Sequence, residues 1–99
     1  MQGGNKNDFI ETLMIGLELL IEYDNVQYFI QGWNEGKDAY IGVNQFVPWK
    51  EDYVWICKDT TIAKCGERFL VAPIFNGKTF WEIYQKIEWV DEGNPIVYK

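Results

Sequence analysis

A chain of 99 residues that is 47% apolar and 24% charged, with a net charge of −6, has the composition of one globular domain. That excludes a disordered segment or a pair of cores. Its nine basic residues are scattered rather than clustered, which argues against direct binding of nucleic acid phosphates and for a partner with a basic surface. No apolar run approaches the ~20 residues of a membrane span, and no signal-peptide succession opens the sequence. A cytoplasmic protein without a membrane partner is expected.

Residues 1–6 are rich in Gly and Asn and are expected to fray. A first helix is expected from Asn7 or Asp8, with Asp8 and Glu11 at capping-box spacing and Phe9, Ile10, Leu13, Met14 and Leu17 on one side. Gly16 marks its end, and Ile15 points away from the apolar side.

Leu19 to Gln31 alternates apolar and polar residues on both sides of Asp24-Asn25, which predicts a hairpin. A two-residue turn there sets Tyr23 opposite Val26, Ile21 opposite Tyr28 and Leu19 opposite Ile30 on one face. Residues 32–37 read as a turn and residues 39–43 as a third strand, with Gly42 a candidate bulge. Asn44 to Asp52, which contains Pro48, reads as an apolar loop, and Tyr53 to Lys58 as a fourth strand. Asp59, Thr60 or Thr61 caps a short helix with Ile62, Cys65, Phe69 and Ala72 inward, weakened by Gly66. Arg68 to Ile74 is either its continuation or another strand.

The last helix has the clearest local signal. Thr79 and Glu82 form a capping box, and Phe80, Ile83, Tyr84 and Ile87 recur at helical spacing towards Trp89. Beyond it, a turn at Gly93-Asn94-Pro95 leads into Ile96-Val97-Tyr98. The expected fold is therefore α+β: a three- to four-stranded antiparallel meander with two to three helices packed on it, in one domain spanning 1–99.

Few features point to catalysis. The sequence has no histidine, so the commonest general base and metal ligand are both missing, and no cofactor or metal is expected. Cys57 and Cys65 read as small core residues, and their spacing suits neither a redox motif nor a zinc site. Gly77-Lys78-Thr79 lacks the leading glycine of a phosphate loop, which favours the capping box.

Aromatic residues are in excess. Five Trp, six Tyr and six Phe, at ~150 to 250 Å² each, exceed what so small a core accommodates. Trp33 and Trp49 in the expected loops, and Trp81 and Trp89 on or beyond the last helix, lie beside Glu35, Glu51, Asp52, Asp91 and Glu92. These nine residues are the candidate partner-binding set, since exposed Trp rimmed by carboxylates suits a basic protein surface. The alternatives are tryptophans that wedge the hairpin against the helices, or an aromatic patch that closes a homodimer.

Glu18 to Tyr28 (ELLIEYDNVQY) and Asn76 to Ile87 (NGKTFWEIYQKI) resemble an anonymous family of small acidic proteins from low-GC Gram-positive bacteria and their phages. The resembling residues are caps, turns and core, so they bear on fold and transfer no site residue. The resemblance implies a mobile-element setting, and with it a non-enzymatic inhibitor of a host defence protein, of the anti-CRISPR or anti-restriction type.

Overall fold

The turn at Asp24-Asn25 sets the register of the whole sheet. Both residues have left-handed backbones, with φ of 52° and 64°, the conformation that a two-residue hairpin turn needs and that Asp and Asn tolerate. In the computed structural model, which describes residues 1–90, this turn joins β1 (Leu19–Tyr23) to β2 (Val26–Glu35). Tyr23 pairs with Val26, Ile21 with Tyr28 and Leu19 with Ile30, the register read from the alternation.

The second hairpin corrects the expected 32–37 turn. β2 runs on to Glu35, which pairs with Asp38 across Gly36-Lys37, and Gly36 has a φ of 64°. Trp33 continues the strand because it has a cross-strand partner, Tyr40. β3 spans Asp38–Val47 and takes in four residues expected to be loop. Val43 and Gln45 are buried while Asn44 and Phe46 are only partly covered, so the alternation of a strand persists up to the cis Val47–Pro48 bond. Gly42 pairs regularly with Gln31 and Ile56, and the register shift falls at Gln27/Tyr28 instead. β4 spans Trp55–Asp59, beginning two residues later than expected.

Three helices cover one face. α1 (Lys6–Met14) starts one or two residues earlier than expected: Asn5 is its cap, accepting from the Asp8 N–H at 2.8 Å and donating to the Asp8 carboxylate at 2.9 Å. Leu17 lies beyond the helix end and is exposed. α2 (Ile62–Val71) is capped by Thr61 and resolves the 68–74 ambiguity as helix up to Val71. A side chain at Gly66 would meet Met14 Sδ, so this glycine lets α1 and α2 pack closely.

α3 (Phe80–Ile83) has the expected capping box, with Thr79 Oγ1 accepting from the Glu82 N–H and Glu82 Oε1 from the Thr79 N–H. It is shorter than its periodicity suggests. One 3-10 turn, Tyr84–Lys86, follows, and the chain then extends into β5 (Glu88–Val90) along the free edge of β1. Isoleucines and aromatics lose rotamer freedom in a helix and suit a strand, and the open β1 edge offers them hydrogen bonds. Ile87 is fully buried all the same.

Among the described residues the sheet therefore has five antiparallel strands in the order β4-β3-β2-β1-β5, one more than the expected maximum. Phe9, Phe69, Phe75 and Phe80 fill the space between it and the helices. Gln2, within the segment expected to fray, exchanges hydrogen bonds with Ile87 and Trp89. The turn and segment expected at 93–98 lie outside the described residues.

Candidate functional site

Because side chains alternate along a strand, the residues between the core positions face away from the helices. On β2 these are Phe29, Gln31 and Trp33, and on β3 they are Tyr40, Gly42 and Phe46. Two aromatic groups result. Trp33 lies flat on Tyr40, with centroids 5.2 Å apart and planes within 8°, and Tyr53 joins them at 6.1 Å. Phe29 stacks on Phe46 at 5.1 Å, and Trp49 leans on Phe46 at 6.1 Å.

Gly42 makes the first group fit. A Cβ there would come 2.5 Å from Tyr53 Cε1 and 3.1 Å from Trp33 Cη2, so its bare backbone forms the trough in which the tyrosine lies. Trp49 is 66% exposed, Tyr53 42% and Ile56 49%. Glu51 and Asp52 are exposed on the loop between Trp49 and Tyr53. At the other end Glu35 shares the face of Trp33, and Asp38 pairs with Lys58 at 3.5 Å.

Of the nine expected residues, the fold gathers Trp33, Glu35, Trp49, Glu51 and Asp52 on or beside this helix-free face. Trp81 is elsewhere, on α3, with the Lys6 ammonium 5.8 Å above its ring. Trp89 is in β5, meets Phe9 edge-on at 5.6 Å, and packs against the core margin beneath Gly4. Asp91 and Glu92 lie outside the described residues. Tyr40, Phe46, Tyr53 and Ile56 complete the face and were missed, although Tyr40 alternates with Ala39 and Ile41 in the sequence.

Among the described residues, no three Asp, Glu or Cys side chains gather in a way that would hold a metal. Cys65 is fully buried, its thiol facing the carbonyls of Ala39 at 3.5 Å and Cys57 at 3.6 Å. Burial pushes that thiol up to about 11, which disfavours the thiolate a nucleophile requires. What the helix-free face offers is flat aromatic surface with a carboxylate rim, suited to contact rather than to proton transfer. No protein-family model, curated protein or solved structure matches the chain.

Proposed function

We propose that this chain is a non-enzymatic protein-binding inhibitor that lays its helix-free face on a basic surface of its partner. The observation that carries this reading is the pair of exposed rings, Trp49 and Tyr53, separated by Lys50, Glu51 and Asp52 on one short loop of net negative charge. Large rigid aromatics supply contact area at little entropic cost, and carboxylates around them steer a basic partner. The resemblance to small acidic proteins of low-GC Gram-positive bacteria and their phages supports a nucleic-acid-processing defence enzyme as the target, met in the host cytoplasm.

The competing reading is a homodimer closed by the same aromatic face. Two copies, each with a charge of −6, would repel, so self-association would strengthen as salt is added. Docking to a basic groove would weaken. Sedimentation of the purified protein across a salt series, alone and with candidate basic nucleases, separates the two. Replacing Glu51 and Asp52 by Lys should slow association, and Trp49→Ala should speed dissociation. A salt-stabilised dimer that ignores these changes, with no salt-sensitive partner, would sink the inhibitor reading.

A further inference from the structure

On the helix side, a cavity of about 410 Å³ opens between the β1–β2 turn, the end of β3 and the turn at 74–76. Tyr28 and Gln45, cross-strand partners on β2 and β3, line it although they are only 5% and 8% exposed. Val54 and Ile74 give it apolar walls, and the exposed Asp24 and Lys50 stand at its mouth.

The orientation of the Gln45 amide is fixed. Its Nε2 donates to the Pro48 carbonyl at 2.8 Å, and since a carbonyl only accepts, the atom on the other side must be Oε1. Among the described residues neither this oxygen nor the Tyr28 hydroxyl has a hydrogen-bond partner. Neither is sealed from solvent, because no fully enclosed side-chain polar atom among those residues is left unpaired. Two polar atoms on almost fully buried side chains that line one cavity thus have no protein partner and stay open to solvent, which leaves them free to receive a donor from outside.

We infer that this cavity receives an arginine side chain of the partner protein, its guanidinium donating to Gln45 Oε1 and to the Tyr28 hydroxyl oxygen. The inference rests on the basic-partner reading above and specifies how that partner is held. Gln45 Oε1 can only accept, so the occupant must donate. A guanidinium is planar, carries five N–H groups and is weakly hydrated, so it can donate in several directions at once and tolerates the apolar walls. A lysine ammonium is more strongly hydrated and loses more on entry. Burial, then Tyr23 and Asp24, hold the Tyr28 phenol above its ordinary range, so its hydroxyl stays neutral. Asp24 attracts the cation and Lys50 repels it, which leaves selection to the hydrogen bonds. Lys50 directly follows Trp49, so one partner segment spans the cavity and the aromatic face.

The test titrates N-acetyl-L-arginine methylamide into the full chain and follows the Gln45 side-chain amide and Tyr28 ring signals by NMR. Its uncharged citrulline analogue and its lysine analogue serve as comparisons. Saturable shifts are expected for the arginine derivative, with affinity about fivefold or more above both analogues. Asp24→Asn, which keeps a residue tolerant of the left-handed turn, should weaken binding about two- to fivefold, and Lys50→Ala should strengthen it to a similar degree. Gln45→Leu should abolish it, and if that variant fails to fold the two mouth variants still decide. Equal shifts from the citrulline analogue, no shift with arginine, or indifference to Asp24→Asn would each overturn the inference. That failure is separate from failure of the inhibitor reading, which would show as partner binding unchanged by Trp49→Ala.

Discussion

Trp33 and Tyr40 are direct cross-strand partners whose rings lie 5.2 Å apart and within 8° of parallel, on the face of the sheet that carries none of the described helices. A stacked pair contributes roughly 0.5 to 1.5 kcal/mol beyond the area it buries. Here it also builds a platform, because Tyr53 completes it across Gly42.

Gly42→Ala should therefore lift Tyr53 without unfolding the chain. The methyl would meet the tyrosine ring, which is part-exposed on a loop and free to move outward, so the cost should fall at the lower end for overpacking, ~1 kcal/mol. Tryptophan fluorescence should change as Trp33 loses its neighbour. A crystal structure of the variant with Tyr53 still on the sheet would contradict this account.

Thr79→Ala should cost ~1 kcal/mol, since it deletes the oxygen that accepts from the Glu82 N–H. Ile87→Ala should cost more, ~2 to 5 kcal/mol, because a fully buried side chain leaves a cavity. Urea denaturation of both variants checks the order, and a milder Ile87 variant would mean that β5 does not pack as described.

Acid should weaken the fold through Asp59. The Thr60 backbone N–H, 2.7 Å from its carboxylate, is the main cause holding its pKa below the ordinary carboxylate range; Arg68 at 3.1 Å and Lys64 help, and burial opposes them. A depressed pKa means the folded state prefers the charged form. The contribution is complete above the unfolded value of about 3.9 and is lost as pH falls towards the folded one. Thermal melts from pH 5 to pH 3 should fall more steeply for the native chain than for Asp59→Asn, and parallel curves would rule this group out.

Cys65 should resist alkylation. With its pKa pushed up to about 11, its thiolate fraction at pH 8 is on the order of a hundredfold below that of an ordinary exposed cysteine. Mass spectrometry after iodoacetamide treatment of the folded protein should find Cys65 unmodified, with labelling appearing only in denaturant.

The sequence carried the first hairpin and the Thr79 capping box, and narrowed the α2 cap to three neighbouring residues, because each is decided locally, by a turn pair or by a side-chain oxygen at the right spacing. The end of α3 was not legible there. Phe80, Ile83, Tyr84 and Ile87 fit a helix, and only the free edge of β1, distant in sequence, makes a strand the better outcome. The site was half legible for the same reason. Trp33 and Trp49 stand out by residue type, whereas Tyr53 joins them only because Gly42, on a different strand, leaves room.

The pairing of β5 with β1 sets an order of assembly. β1 to β4 join neighbours along the chain, so the meander closes only short loops as it forms. β5 must instead bring Trp89 back to Ile21, and Gln2 to Ile87, across almost the whole described chain. Loop-closure entropy makes such contacts late on the way in and early to open on the way out. Hydrogen exchange should find the amides of β5 opening before those of the β2–β3 hairpin, in a partly open form that exposes the β1 edge while the aromatic platform stays assembled.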